Sequence, residues 1–184
     1  RRPPRSTRFP YTTLFRSERL WLTDAYFIGV APDRRALTSA SHDGVDVRLL
    51  VPGASDIPAV AALSRTGYRA LLEAGIRVFE WKGSMLHAKT AVADDRWARV
   101  GSTNLNIASW MGNVEIDVAI ENEDLGRRLA QQYERDLENA TEIVLSRRNR
   151  ARPATPPPRH GLHGHGSAGR SAVGAMRMAT TLGA

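Results

Sequence analysis

Leu86-His87-Ala88-Lys89-Thr90-Ala91-Val92-Ala93-Asp94, followed by Gly101-Ser102-Thr103-Asn104, is the stretch on which the reading of this chain turns. If 86–93 is a strand, its side chains alternate between two faces. His87 and Lys89 then project to one side, and Leu86, Ala88, Thr90 and Val92 to the other. Ala91 and Ala93 continue the polar side with little bulk and leave room for a ligand. An imidazole beside an ammonium suits an anionic phosphorus centre: the lysine attracts it, and the histidine attacks it or moves a proton. Gly101-Ser102-x-Asn104 supplies a turn with no side chain at its tightest point. Its hydroxyl and amide donors suit non-bridging phosphoryl oxygens, onto which charge shifts during transfer.

Downstream, a strand over 115–120 places Glu115, Asp117 and Ala119, with Glu121 just beyond, on one face and Ile116, Val118 and Ile120 on the other. A carboxylate at Glu115 is suited to orient an imidazole through its Nδ1 hydrogen and leave Nε2 free. Upstream, 20–28 is dense in aromatic and apolar residues and reads as a strand. A short helix over 33–41 leads through Asp43-Gly44 to a strand at 45–51, stopped by Pro52-Gly53. Asp56 reads as the cap of a helix carrying Leu63, Tyr68 and Leu71 and ending at Gly75. Strands follow at 76–81 and 97–100, then a short helix at 105–110. A last helix over 123–139 sets Leu125, Leu129, Tyr133 and Leu137 on one stripe. Strands alternating with helices imply an α/β fold: a single layered domain with a mixed β-sheet flanked by helices.

Composition narrows the function. The chain has 184 residues and no cysteine, which excludes a disulfide framework and a thiolate metal site. No run of about 18 apolar residues occurs, so no segment reads as a membrane span. No signal peptide is visible at the start. The net charge of +7 is uneven, because 12 of the 26 basic residues lie in the ends, five in 1–17 and seven in 146–184, where no acidic residue occurs. That leaves 14 basic residues against all 19 acidic ones in the middle, a net of −5. A domain for long nucleic acid carries a basic stripe, so the acidic middle counts against a nucleic-acid partner.

The ends read separately. Residues 1–17 are arginine-rich and interrupted by proline, and Arg8-Phe9-Pro10-Tyr11-Thr12-Thr13-Leu14-Phe15-Arg16-Ser17 resembles a translated sequencing adapter. The alternative is a disordered natural lead. On the adapter reading the chain is a fragment whose true beginning is lost. Residues 146–184 form a basic tail rich in Pro, Gly and His, a linker or disordered end by composition. Its arginines either attract anionic headgroups, at about 1 kcal/mol each, or solubilise the end. Within it, 167–184 reads as a disordered end or a weak interfacial helix. His160, His163 and His165 match no closed zinc site, so no metal is expected.

The spacing His-x-Lys, four residues, Asp, six residues, Gly-Ser-x-Asn resembles the HKD motif of the phospholipase D superfamily. The resemblance extends across 18–146. Leu22-Thr23-Asp24-Ala25-Tyr26-Phe27, Gly44-Val45-Asp46-Val47-Arg48-Leu49-Leu50-Val51-Pro52 and Leu72-Glu73-Ala74-Gly75-Ile76-Arg77-Val78 are similar to the C-terminal half of bacterial cardiolipin synthases. Asn113-x-Glu115 resembles the pair that follows their second motif. Thr23-Asp24-Ala25-Tyr26 departs from the family's flavour by lacking a proline, which leaves the loop contacts near Tyr26 open.

The resemblance implies a two-step phosphatidyl transfer without metal or other cofactor. One motif histidine forms a phosphohistidine, and the other protonates the leaving alcohol and then activates the acceptor. His87 falls at the second motif and takes the acid/base role. Lys89, Ser102 and Asn104 would bind phosphate, Asp94 would mainly anchor the motif, and Glu115 completes the candidate catalytic set. The implied partners are an anionic phospholipid, a second HKD half (a missing N-terminal domain or another copy) and a membrane surface, at the cytoplasmic face of a bacterial inner membrane. The leading function is a cardiolipin synthase half that converts two phosphatidylglycerols to cardiolipin and glycerol. The alternatives are a phospholipase D or nuclease acting as a homodimer, and an incomplete fragment that binds anionic membrane. Read blandly, His87 and Lys89 lie on a solvated face and Glu115 is a surface carboxylate. Tyr26 and Trp110 read equally as core or pocket wall, and His42 as surface.

Overall fold

A computed structural model describes residues 17–145. The arginine-rich lead, the basic tail, its three histidines and the stretch 167–184 lie outside the described residues. Eleven elements follow one another: β1 (Arg19–Thr23), α1 (Ala31–His42), β2 (Asp46–Pro52), α2 (Pro58–Glu73), β3 (Arg77–Trp81), β4 (Thr90–Ala93), β5 (Trp97–Gly101), α3 (Ile107–Met111), β6 (Asp117–Glu121), α4 (Glu123–Glu138) and β7 (Ala140–Ile143). The strands form one mixed sheet in the order β6-β5-β4-β1-β2-β3-β7. β1, β2 and β3 run parallel; β4, β5, β6 and β7 pair antiparallel to their neighbours. This is the α/β fold with a mixed sheet that the sequence implies.

The apolar run of β2 shows why both faces are covered. Val47, Leu49 and Val51 point into a cluster with Leu37, Tyr68 and Leu71 from α1 and α2. Leu50 points the other way, to Trp21, Phe79, Val92 and the α4 residues Ala130 and Tyr133. A strand buried on both faces needs such a continuous run, whereas one open to water alternates. The rings of Trp21 and Tyr133 stack at 5.4 Å, which seats α4 on the sheet. α4 starts where the Asn122 side chain accepts from the Leu125 N–H at 2.9 Å, with Glu123 and Asp124 in its first turn complementing the helix dipole. Gly126 lets this helix approach the β4–β5 turn, because a Cβ there would overlap the backbone of Asp95 and Arg96.

Four expectations change. β1 ends at Thr23 instead of running to residue 28, because the backbone turns at Asp24 and its N–H bonds to the Leu50 carbonyl at 3.0 Å. The strand expected over 86–93 is only Thr90–Ala93. Thr90 pairs with Thr23, the last residue of β1, so nothing remains on that side for 86–89 to pair with. The helix expected to be capped by Asp56 has Ile57 at its cap, without a side-chain capping bond, and Asp56 instead accepts from the Tyr26 hydroxyl at 2.9 Å. β7 was not expected, although Thr141, Ile143 and Val144 are β-branched.

Candidate active site

The carboxyl end of β1 lies beside the amino end of β4, so the segments 24–29 and 85–89 leave the sheet together. In open α/β sheets that end of the parallel strands is where ligands bind. His87 and Lys89 both lie in the irregular segment before β4, and they keep the common side that alternation gives. The Lys89 ammonium stands 3.1 and 3.2 Å from the two ring nitrogens of His87 and donates to the His87 carbonyl at 2.8 Å. Lys89 is only 6% exposed, whereas His87 faces solvent. Burial pulls the Lys89 ammonium below its ordinary pKa, and the charges of Asp24 and Glu115 oppose that shift. The arrangement presents one cation at the floor and one imidazole at the rim.

Tyr26 forms a wall of this site. Its ring meets His87 edge-on, with centroids 5.6 Å apart and planes at 81°, and its centroid is 5.7 Å from the Lys89 ammonium. Its hydroxyl is tied to Asp56, and burial followed by that carboxylate raises its pKa. Trp110 is 51% exposed and belongs to neither core cluster. His42 is exposed at the end of α1.

The Gly-Ser-x-Asn turn carries the adjoining wall, its Gly101 N–H donating to the Lys89 carbonyl at 3.1 Å. Gly101 must be glycine, since a Cβ would collide with the Asp117 carboxylate and the Ile116 carbonyl oxygen. The Ser102 hydroxyl donates to Glu115 at 2.5 Å and accepts from the Ile116 N–H at 2.9 Å. Asn104 is buried and its N–H bonds to the Ser109 hydroxyl at 3.1 Å, while its side-chain oxygen has no hydrogen-bond partner. Asn106 caps α3 by accepting from the Ser109 N–H at 3.0 Å, and its amide reaches across to the Tyr26 carbonyl at 2.9 Å.

Glu115 lies ahead of β6, which begins at Asp117, and its carboxylate makes no hydrogen bond to His87 among the described residues. Its oxygens accept instead from Ser102, from Ser109 at 2.6 Å and from Asn113 at 3.1 Å. Those bonds, led by the one from Ser102, hold its pKa below the usual carboxylate value. Glu115 therefore fixes the turn that carries Ser102 and Asn104. Its negative charge reaches Lys89 only through space.

Asp94 stands at the far end of β4. Its carboxylate accepts from the backbone N–H groups of Glu18 and Arg19 at 2.8 and 2.9 Å, pinning the start of β1. Asp94 and Asp95 both adopt left-handed backbone, φ 51° and 54°, in the tight turn between β4 and β5. Aspartate tolerates that region better than most residues.

Sequence reasoning passed over Asp24. It is 2% exposed, and its carboxylate accepts from the N–H of Tyr26 at 3.0 Å and of Leu105 at 2.7 Å. Burial pushes its pKa from 3.8 up to about 6, against the lowering effect of those two bonds and of the Arg99 and Lys89 charges. The signal available was an acidic residue inside an otherwise apolar run, Leu20-Trp21-Leu22-Thr23-Asp24-Ala25-Tyr26-Phe27. Among the described residues, no three His, Cys, Asp or Glu side chains gather so as to hold a metal.

The mixed sheet, with a His-x-Lys segment beyond the carboxyl end of its parallel strands and a Gly-Ser-x-Asn turn beside it, is that of a phospholipase D-like domain. Residues 13–140 match the family described as cardiolipin synthase, PLD-like domain, and the chain belongs to that family. It is 33% identical over 133 residues to cardiolipin synthase 2 of Bacillus anthracis, covering 72% of this chain and 26% of that protein. It is 34% identical over 114 residues to cardiolipin synthase A of Yersinia pseudotuberculosis, covering 62% and 24%. The chain thus spans about a quarter of the length of these relatives. In fold it is similar to Nuc, a phospholipase D family member from Salmonella typhimurium, with TM-score 0.63, 17% identity, and coverage of 70% of this chain and 84% of that one. It is also similar to phosphatidylserine synthase from Haemophilus influenzae, with TM-score 0.54, 17% identity, and coverage of 68% and 34%.

Proposed function

We propose that this chain is the second-motif half of a phosphatidyl-transferring enzyme, taking phosphatidylglycerol as donor and as acceptor and yielding cardiolipin and glycerol. The observation that carries the reading is the buried Lys89 ammonium 3.1 Å from the ring of a solvent-facing His87. The cation draws the phosphodiester to the imidazole, and the Asn104 amide approaches it from the adjacent turn, which Ser102 holds in place by donating to Glu115. The histidine of a second HKD half attacks phosphorus: its ring nitrogen forms the P–N bond as the P–O bond to glycerol breaks. His87 gives its proton to the departing glycerol oxygen. It then takes the proton of the incoming phosphatidylglycerol hydroxyl, whose oxygen forms the new P–O bond as the P–N bond breaks. Lys89 offsets the charge that gathers on the non-bridging oxygens.

The partner half is part of this proposal. Trp110, Met111, Val114, Ile116 and Val118 stand exposed in the segment around Glu115, and exposed apolar groups of this size mark interaction surfaces. We place the assembly at the cytoplasmic face of a bacterial inner membrane, reached through its lipid substrate. Among the described residues no helix is long and apolar enough to cross a membrane.

The test is mass spectrometry of products from phosphatidylglycerol vesicles, with this chain alone and with an added first-motif half of a cardiolipin synthase. Cardiolipin that appears only with the added half, and is lost in His87→Ala, supports the proposal. Cleavage of a single-stranded oligonucleotide without any lipid product overturns it in favour of a nuclease. No product at any ratio of halves also overturns it.

A further inference from the structure

Asp24 occupies a position that neither the motif nor the core explains. Its carboxylate is 2% exposed and forms no ion pair among the described residues, although Lys89, on the segment before β4, and Arg99, on β5, face it through space. Leaving a carboxylate in such a place is costly unless its hydrogen bonds return something.

Its two oxygens go to two different walls of the site. Oδ1 takes the Tyr26 N–H, two residues on, and Oδ2 takes the Leu105 N–H, 81 residues on. The same seam continues outward. The Leu105 carbonyl accepts from the N–H groups of Ile28 and Gly29 at 3.2 and 3.1 Å, and the Asn106 amide donates to the Tyr26 carbonyl. Tyr26 is the ring against His87, and Leu105 directly follows the buried Asn104. Among the described residues, the Asp24 carboxylate is thus the one side chain that bonds to both the 24–29 loop and the 104–106 loop at their buried end. It works with those backbone bonds, and with the Gly101 N–H, which donates to the Lys89 carbonyl at 3.1 Å, to set the separation between the two walls. Its charge also favours the protonated form of Lys89, which burial opposes.

We propose that Asp24 is a positioning residue: as a carboxylate it clamps the 24–29 and 104–106 loops together beside the phosphodiester site and keeps Lys89 cationic. The inference rests on the phosphodiester reading of the site. Asparagine has nearly the same shape but only one acceptor oxygen. It points its own N–H at a backbone N–H and brings no charge. The ionised clamp exists at neutral pH and is lost as pH falls through about 6, where burial has placed the Asp24 pKa.

The probe is dimethyl phosphate, which keeps a single negative charge across this range. Its affinity is read by NMR titration of the whole chain, with the Tyr26 and Leu105 amide shifts followed from pH 4.5 to 8. In the parent chain both amides are expected to share one inflection near pH 6, absent in Asp24→Asn, and that variant binds dimethyl phosphate about tenfold more weakly at pH 7.5. Should Asp24→Asn fail to fold, the parent's amide inflection and its loss of affinity below pH 6, measured in a His87→Gln background, carry the test. Unshared or missing inflections, or a folded Asp24→Asn that binds within twofold of the parent, overturn the clamp. If the parent binds no dimethyl phosphate, the functional reading of the site fails, and the amide inflections alone decide the clamp.

Discussion

Replacing Asp24 by asparagine should change how stability depends on pH, and the direction distinguishes a buried, unpaired carboxylate from a salt-bridged one. The folded chain holds this proton up to about pH 6, whereas an unfolded aspartate releases it near 3.8. Between those values the folded state binds more protons than the unfolded state, so stability falls as pH rises. The contribution is fully present below 3.8 and lost by the time pH passes 6. A difference of about two pH units corresponds to about 3 kcal/mol. Paired carboxylates with lowered pKa, such as Glu142 against Arg77 and Asp46 against Arg48, drive the total the other way, so the parent curve alone does not isolate the effect. Urea unfolding of parent and Asp24→Asn at matched pH from 4 to 8 gives the difference directly. The hydrogen bond lost in the variant is a constant offset and leaves the slope intact. We expect the parent to lose about 2 kcal/mol relative to the variant between pH 4 and 7, since part of the total has already gone at pH 4. A flat difference, or one that rises with pH, would mean that burial does not hold a proton on Asp24.

The other expectations follow from single contacts. Leu71→Ala removes a fully buried side chain from the α2 face and should cost about 2–5 kcal/mol by chemical denaturation. Asp94→Ala leaves the amides of Glu18 and Arg19, the first exposed and the second half-buried, without their acceptor, which should cost about 1 kcal/mol; at temperatures where it is folded, its binding of dimethyl phosphate should match the parent. Gly101→Ala forces Asp117 and Ile116 away from the turn, so binding should fall along with stability, and a variant with parent-like values of both would contradict the close approach. Val114→Asp with Ile116→Asp leaves the core untouched, because both side chains are exposed. The pair should weaken association with an added first-motif half, read by analytical ultracentrifugation, without changing the melting temperature.

Much of the fold was legible because the determining signals are local. The apolar run at Val47–Val51, Gly75 after α2 and the stripe through Leu129, Tyr133 and Leu137 each follow from residue spacing. What failed depended on partners distant in sequence. The strand before Thr90 looks sound by composition, but β1 turns away at Asp24 and leaves it without a partner on that side. Asp56 has a capping residue's chemistry, and Tyr26, 30 residues away, takes it instead. The site divides in the same way. His87 and Lys89 lie two residues apart, and either a strand or an extended loop puts them on one side. The engagement of Glu115 with Ser102 and Ser109, instead of an imidazole, depends on how α3 folds back, and no pattern within the motif shows that. Asp24 was hidden because a buried carboxylate looks like an ordinary polar interruption until its acceptors are known.

If the site works as proposed, a phosphodiester rests against both the Lys89 ammonium and the His87 ring, which are themselves in contact. Tungstate mimics the oxygens of that group and is located by its anomalous scattering in a soaked crystal of the full chain. The ion is expected with its oxygens in hydrogen-bond reach of both Lys89 Nζ and a His87 ring nitrogen, the metal atom within about 4 Å of each, and its peak is expected to vanish in Lys89→Met. Tungstate bound elsewhere, or equally well without that lysine, would contradict this placement.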